Sequence, residues 1–270
     1  RIVADFMWLI LLFLCFLFKE FLFIIFLLLY NIHVVVTGNK KVFLIETDFF
    51  ASCNNSLFND CTKGEGPSKT FFSSVDNFKK LNLKIPAKII IKQDSNAVAP
   101  QLEVFAQENV YNRIAFSNAG SELTIDFKEC VNQYQNVEIK IIVANFNSLS
   151  LDGPSDVFSD NIFRTDSFSI QLNSTAIIDF STRADYFKVD VNGAGNISLN
   201  GFADVFQLTH NSVGGVSAFN LETDSSNITI NNAGSAEITV GKWLSTLTPG
   251  SGQVFYKGHP NLFVSDSSKV

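Results

Sequence analysis

The chain has 270 residues, of which 46% are hydrophobic and 17% are charged, and its formal net charge is −6. This length is enough for one or two packed domains. The acidic balance and the lack of a Lys/Arg stripe argue against a nucleic-acid partner. The composition changes near residue 36, where an apolar segment rich in Phe and Leu gives way to a chain rich in Asn, Ser, Asp and Thr.

Residues 1–36 form a hydrophobic segment that predicts membrane targeting. Trp8 to Phe18 and Phe21 to Tyr30 are unbroken apolar runs, separated by a Lys-Glu pair. Either run is shorter than the roughly 20 residues that span a bilayer, whereas both together are long enough. A spanning helix, a signal peptide with a long apolar region and two half-spans all stay open, and we favour the anchor. We therefore expect a membrane-anchored or secreted protein of the cell envelope.

Residues 37–74 are predicted to be a linker, because turn residues are frequent and hydrophobic periodicity is weak. Cys53 and Cys61 bracket the polar stretch CNNSLFNDC. In an exported protein this pair could close a small disulfide loop, and two free thiols are the alternative. No CxxC motif occurs, so zinc or thioredoxin-type chemistry has no support.

Residues 75–265 are predicted to be a β domain. Apolar and polar residues alternate in three segments, as expected for strands with one buried face: Leu81, Leu83 and Ile85; Leu123, Ile125 and Phe127; and Val137, Ile139, Ile141 and Val143.

A repeat of 19–20 residues organises the C-terminal half. Asn173, Asn192, Asn211 and Asn231 each follow an apolar–polar–apolar triplet, and in most copies a glycine comes shortly afterwards. An earlier copy has Asp152 in place of Asn, and Leu247-Thr-Pro249-Gly250 is a degraded later copy. The pattern predicts chain corners near residues 152, 173, 192, 211, 231 and 250.

Short strands joined by tight corners at a fixed period indicate a β-solenoid. Alternate side chains point inward and stack on the same position of the next coil. Gly and Asn supply the unusual backbone that corners need. We expect the Asn side chains at successive corners to hydrogen-bond as a ladder. Each inward Val, Leu or Ile gains about 1.5–3 kcal/mol only when neighbouring coils cover it, so several coils are required.

The segments 187–215, 227–240 and 250–260 resemble the GIN-domain family, "putative auto-transporter adhesin, head GIN domain". The likeness lies in repeated small-residue and glycine corners followed by short strands, and in the ending Val254-Phe-Tyr256-Lys-Gly258-His-Pro260. It extends over roughly 70–263. Two departures put the local register in question: residues 172–183 lack the glycine corner, and Val213-Gly214-Gly215 carries its glycine pair one place late. The resemblance implies an all-β, right-handed parallel β-helix-like head on an exported or cell-envelope protein.

His210 is expected to occupy an inward slot between Val191 and Ile230, as a hydrogen-bonded core histidine. A metal site would need partners, and His33 and His259 lie far away in the sequence. Residues 193–201 only superficially resemble a dinucleotide loop, because Ser198 stands where the third glycine belongs and no helix follows. We expect no catalytic, cofactor-binding or metal site.

Other polar residues have structural explanations. Calcium-binding repeats need GGxGxD, which is absent, so turn chemistry is expected to explain the acidic residues near corners: Asp152, Asp156, Asp179, Asp204 and Asp224. The spacing of Arg164, Arg183 and Lys188 is not expected to build the active-site cluster of a β-helix lyase. Four asparagines begin N-x-S/T sequons that a glycosylating host could modify: Asn54, Asn173, Asn196 and Asn227.

The favoured function is a surface-displayed adhesion or binding scaffold without catalysis, which meets a surface glycan or protein. A structural envelope spacer and a carbohydrate-active β-helix enzyme are the alternatives. No GxSxG, HExxH or P-loop motif occurs, and this absence favours the scaffold over the enzyme.

Overall fold

The computed structural model describes residues 61–264. That part of the chain contains eighteen strands and one short helix. In chain order they are β1 Thr62–Lys63, β2 Ser68–Ser74, β3 Lys80–Leu83, β4 Lys88–Gln93, β5 Gln101–Gln107, α1 Glu108–Tyr111, β6 Ile114–Ala119, β7 Glu122–Phe127, β8 Val131–Asn132, β9 Glu138–Val143, β10 Ser148–Leu151, β11 Asp156–Ser159, β12 Phe163–Leu172, β13 Ile177–Val191, β14 Asn196–His210, β15 Gly215–Ile230, β16 Ser235–Leu247, β17 Gln253–Lys257 and β18 Asn261–Val264.

From β10 onward the chain forms a parallel β-solenoid, which confirms the predicted all-β solenoid. Each long strand pairs with the corresponding strand of the next coil along most of its length, as in β13–β14 and β14–β15. We call the segments before the Asn corners row A (149–151, 170–172, 189–191, 208–210 and 228–230). The segments after them are row B (157–158, 178–180, 197–199, 216–218 and 236–238). The right-handedness that the family resemblance implies stays a prediction.

Inward side chains of both rows form continuous columns in the core. In row A one column contains Leu151, Leu172, Val191, His210 and Ile230, all fully buried. A second column stacks phenylalanines from successive coils, with ring centroids 5.3–6.0 Å apart: Phe146, Phe168, Phe187 and Phe206. Phe180 also stacks on Phe168, with ring centroids 5.0 Å apart. Because the rings that cover one another come from different coils, burial of this column depends on stacking of whole coils.

The predicted asparagine ladder is present at the corners between row A and row B. The Nδ2 group of Asn231 donates to Asn211 (2.7 Å), Asn211 donates to Asn192 (2.8 Å), and Asn192 donates to Asn173 (2.9 Å). Asn173 then donates to the carboxylate of Asp152 at 2.7 Å. This hydrogen bond is the main reason that the pKa of Asp152 lies below its ordinary value of 3.8.

The corner glycines are in register, which resolves the question raised by the sequence. Gly195, Gly214 and Gly234 each lie three residues after their Asn, and Ala176 takes this place in the coil without a glycine. A Cβ on Gly214 would lie 2.2 Å from the Gly195 carbonyl oxygen, and one on Gly195 would lie 2.2 Å from that of Ala176. The late glycine is therefore Gly215, which lies outside this column at the first position of β15.

The last repeat is one residue out of the predicted register. Ile228 pairs with Thr246, and Thr229 pairs with Leu247. Thr246 and Thr248 are consequently buried, whereas Leu247 is 44% exposed. The pairing of β15 with β16 shifts register twice upstream, and a shift of one residue moves every following side chain to the opposite face.

Residues 61–143 form a cap whose strands do not follow chain order. In the two rows β7 and β9 lie outside β3 and β4, although they come later in the chain. The antiparallel strands β6 and β5 then cover β7 and β9, and β2 pairs with β5. The cap protects strand edges that would otherwise be open to pairing with other chains. β1 and β2 also show that the predicted linker contains strands between residues 62 and 74.

The disulfide is neither of the two alternatives that the sequence left open, a Cys53–Cys61 loop or two free thiols. Cys61 is bonded to Cys130, next to the short parallel pair β1–β8. The two cysteines are 69 residues apart in sequence but meet because the cap folds β1 back onto β8. The spacing of the cysteines in the sequence carries no information about this contact.

The predicted hydrophobic segment, residues 1–36, lies outside the described residues. No helix between residues 61 and 264 is both long and apolar enough to cross a membrane.

Candidate binding face

An open groove of about 430 Å³ crosses the outer face of row B. Its lining comes from the same outward positions of successive coils: Phe158, Ile177, Asp179, Asn196, Ser198, Gly215, Ser217, Ser235 and Glu237. Alternation within each strand produces this face, because the residues between them point into the core: Ile178, Ile197, Val216 and Ala236.

Two columns of outward residues run along the groove. Ile177, Asn196, Gly215 and Ser235 occupy one position in four consecutive coils, and Asp179, Ser198, Ser217 and Glu237 occupy the position two residues further on. The middle of the groove is lined by small residues, Ser198, Gly215 and Ser217. Ile177, which is 52% exposed, and Phe158 add an apolar surface at the end nearer the cap.

The polar groups of the groove are held in place by hydrogen bonds within the solenoid. Asn200 Nδ2 donates to Asp179 Oδ1 at 3.0 Å, and Ser217 Oγ donates to Glu237 Oε2 at 2.9 Å. Asn196 Oδ1 accepts a 3.3 Å hydrogen bond from the Gly215 amide. Two carboxylates and an amide oxygen therefore face the groove from fixed positions, and none of the lining residues is Lys or Arg.

His210 lies where the sequence predicted, in the inward column between Val191 and Ile230. The Ser212 amide donates to its Nδ1 at 3.2 Å, and its Nε2 lies 2.8 Å from the Gly214 carbonyl oxygen. This pattern assigns the proton to Nε2 of a neutral ring. Burial lowers the pKa of His210 below its ordinary value of 6.5, although the hydrogen bond to Gly214 acts in the opposite direction. His210 is a structural residue of the corner.

Turn chemistry explains only one of the five acidic residues assigned to it. Asp152 follows β10 at a chain corner, where it accepts the last hydrogen bond of the Asn ladder. The other four lie within strands, and three of those have separate contacts: Asp156 Oδ1 accepts from the Ile177 amide at 2.9 Å, Asp179 faces the groove, and Asp224 pairs with Lys242 at 2.6 Å. Asp204 is exposed within β14.

The basic residues Arg164, Arg183 and Lys188 do not form a catalytic cluster with these acidic residues. Arg164 and Arg183 are in register in consecutive coils. The Arg183 guanidinium lies 5.6 Å from the centroid of the Phe202 ring. Lys188 is separate, on the outer face, and pairs with Asp190 at 2.7 Å. Across residues 61–264, no three His, Cys, Asp or Glu side chains are grouped as metal ligands would be.

The asparagines of the four sequons differ in whether their side-chain amides are exposed or already hydrogen-bonded. Asn173 Nδ2 donates to Asp152 within the ladder, and a glycan on this nitrogen would leave it a single N–H for that contact. Asn196 is exposed at the groove, and Asn227 is exposed on the outer face of β15. Asn54 lies outside the described residues, as do Cys53 and His33. His259 is exposed near the C-terminal end of the domain.

Sequence reasoning missed the groove, apart from Asp179 and Asn196. The other lining residues share no single residue type. Their common position in the repeat becomes visible only when the coils are aligned at their corner asparagines. The same alignment reveals a further column on the bend between row B and row A. Asp166, Asp185, Asp204 and Asp224 follow one another at 19–20 residues, and Lys242 takes the next place.

The comparisons with known proteins agree with this architecture. The family model described as "Putative auto-transporter adhesin, head GIN domain" matches residues 77–260, more than half of the chain. A crystal structure of a putative adhesin from Bacteroides fragilis is 21% identical with a TM-score of 0.71, covering 75% of this chain and 94% of that one. A putative adhesin from Parabacteroides distasonis is 19% identical with a TM-score of 0.65, covering 76% and 95%. A putative lipid binding protein from the same species is 16% identical with a TM-score of 0.60, covering 75% and 94%. At these identities the structures show the fold alone. No curated protein matches the chain.

Proposed function

Because the chain belongs to the head GIN domain family, we propose that it is an exported adhesion-type binding module. In this proposal the solenoid presents the row B groove to a glycan or protein on another surface, and it performs no catalysis. The observation that carries the proposal is the open groove, which extends over several coils of one continuous parallel sheet.

The fold supports binding by a rigid, preformed face. The groove residues lie on strands that pair on both sides in the middle coils, and their polar atoms are already oriented by neighbouring side chains. A face that needs no rearrangement loses little conformational entropy when a ligand binds.

The separation of the groove carboxylates favours binding over glycoside hydrolysis. Asp179 and Glu237 occupy the same outward position three coils apart, which corresponds to about 14 Å at the usual spacing between strands. Paired catalytic carboxylates of glycosidases lie about 5–10 Å apart. The two groups can hold a ligand at separate points but cannot act on one glycosidic bond.

The disulfide supports export. Bonds such as Cys61–Cys130 persist in oxidising compartments and are rare in the cytosol of mesophiles. Attachment to a membrane through residues 1–36 stays a prediction. Protease accessibility of the domain on intact cells tests it, because a domain facing outward is cleaved without cell lysis.

The full chain, kept soluble with mild detergent because of its apolar N-terminal segment, is applied to glycan arrays and to intact bacterial and animal cells. We expect saturable binding to at least one of these surfaces. Failure to bind any of them would overturn the adhesion function and leave a structural spacer. Turnover of an arrayed polysaccharide would overturn the non-enzymatic part of the proposal.

A further inference from the structure

The groove contains a glycine that neither the backbone nor the core requires. Gly215 does not adopt a positive φ, and a Cβ placed on it would meet only Ser235 Oγ at 3.6 Å and Asn196 Oδ1 at 3.8 Å, which are ordinary contacts. By contrast, a Cβ on the corner residue Gly214 would lie 2.2 Å from a backbone oxygen. The physical effect of glycine at 215 is therefore to keep the middle of the groove open.

The charge of the groove restricts the ligands that it can hold. Asp179 and Glu237 are acceptors, and the lining offers no Lys or Arg to an anion. The nearby Lys88 ammonium, 5.9 Å from the centroid of the Phe158 ring, is already paired with Glu138 at 2.9 Å. Nucleic acids, sulfated glycans and phosphate head groups would therefore meet two carboxylates in a lining that contains no cation, which is unfavourable. A neutral ligand that carries many hydroxyl donors fits this arrangement, since ionised carboxylates accept short, strong hydrogen bonds.

The apolar part of the groove adds a second requirement. Ile177 is half-exposed beside Phe158, at the end nearer the cap. These side chains offer carbon surface next to polar acceptors, a combination that suits the C–H faces and hydroxyl rims of sugar rings. The groove volume of about 430 Å³ lies within the range of small-ligand sites. The 14 Å between the two carboxylate positions requires a ligand longer than a monosaccharide.

We propose that the row B groove binds a neutral oligosaccharide chain, which lies across the coils from Phe158 and Ile177 to Glu237. Hydroxyl groups of the chain donate to Asp179, Asn196 and Glu237, and sugar rings pack on Ile177 and over Gly215. This inference rests on the proposed adhesion function and assigns its ligand class.

The test fills the groove without disturbing the fold. Gly215→Trp places a large side chain in the open middle of the groove. Gly241→Trp is the matched control, because Gly241 is exposed and lies outside the groove, and a Cβ on it would meet only the Thr223 carbonyl oxygen, at the same 3.6 Å as the nearest contact of a Cβ on Gly215. Asp179→Asn with Glu237→Gln is a second variant that retains the shape of the groove. Circular dichroism and thermal melting establish that each full-length variant is folded.

Binding is measured by isothermal titration with maltohexaose, cellohexaose and mannohexaose, and with heparin as a polyanion. We expect at least one neutral hexasaccharide to bind the native chain and Gly241→Trp equally. Gly215→Trp should lose binding, and the carboxylate variant should bind roughly 10-fold more weakly. Equal binding by Gly215→Trp and Gly241→Trp, or binding of heparin alone, would overturn the inference.

Cell attachment separates this inference from the function on which it rests. If native chain and Gly215→Trp attach to cells equally well, the groove assignment is wrong and the adhesion function stands. If the native chain attaches to no cell or array, the adhesion function itself is wrong.

Discussion

The cap and the coils both contain parallel strand pairs, but they differ in how the order of strands in space relates to the order in the chain. From β10 to β15 each new segment is laid on the preceding coil, so residues 19–21 apart in sequence are neighbours in space. In the cap, β7 and β9 are placed outside β3 and β4, and antiparallel strands close the end. A periodic chain specifies its register locally, whereas an aperiodic one depends on distant contacts.

This difference predicts where each part is vulnerable. In the coils, every corner repeats the same tight approach of one backbone to the next, so adding or removing a few atoms at a corner should change stability. In the cap, the ends of a long loop are held by one covalent bond, so that bond should matter most.

The largest effect is expected from removing the disulfide. Replacing Cys61 and Cys130 by Ser should lower stability by up to about 4 kcal/mol, because a loop of this length gains much conformational entropy in the unfolded state. The loss should be concentrated in the cap. Hydrogen exchange should accelerate at the amides of β1 and β8 and remain slow in β13 and β14. Equally faster exchange in the coils would contradict the separation of cap and coils.

The next largest effect is expected at a coil glycine with a positive φ. Gly201 has φ +113°, and a Cβ on it would lie 2.0 Å from the Thr182 carbonyl oxygen. Gly201→Ala should therefore destabilise the solenoid by about 3 kcal/mol through strain and overlap. Gly241→Ala is the control, since its Cβ meets nothing closer than 3.6 Å. Urea midpoints measure both, and equal midpoints would show that the coils can separate locally at little cost.

The sequence specified the coils well and the cap poorly. The spacing of Asn173, Asn192, Asn211 and Asn231 located the corners, the inward columns and the hydrogen-bonded ladder. It failed at Leu247, because register shifts within the β15–β16 pairing are not visible in the residue pattern. The partner of Cys61 was also missed, since the contact with Cys130 depends on how the whole cap folds.

The candidate site was even less accessible to sequence reasoning. Inward positions share a property, hydrophobicity, which makes them visible as a pattern. The outward positions Ser198, Gly215, Ser217 and Glu237 share none, and their grouping depends on stacking of four coils. By contrast, the column of Asp166, Asp185, Asp204 and Asp224 has the same 19–20-residue period as the asparagines and could have been recognised.

A smaller effect is expected from the ladder, and it distinguishes interior from terminal rungs. Asn192→Ala removes one donated and one accepted hydrogen bond, to Asn173 and from Asn211. Asn231→Ala removes only the bond to Asn211. Since a net hydrogen bond contributes about 1 kcal/mol, the interior change should cost roughly twice as much as the terminal one. Thermal unfolding compares the two, and equal losses would mean that corner conformation matters rather than the ladder.

The smallest effect is a pH dependence that the coils owe to His210. Its folded-state pKa is lower than its ordinary value of 6.5, chiefly because the ring is buried. Above pH 6.5 both the folded and unfolded states hold the neutral ring, so its full contribution is present. As the pH falls from 6.5 to the lower folded-state pKa, the unfolded state takes up the proton first and stability declines.

Urea midpoints between pH 5 and 8 should show this decline, and His210→Leu should reduce it, because a leucine between Val191 and Ile230 does not titrate. An unchanged slope in His210→Leu would assign the decline to other groups. Asp152 would not be among them, because its lowered pKa places its loss of stabilisation at more acidic pH, below this range.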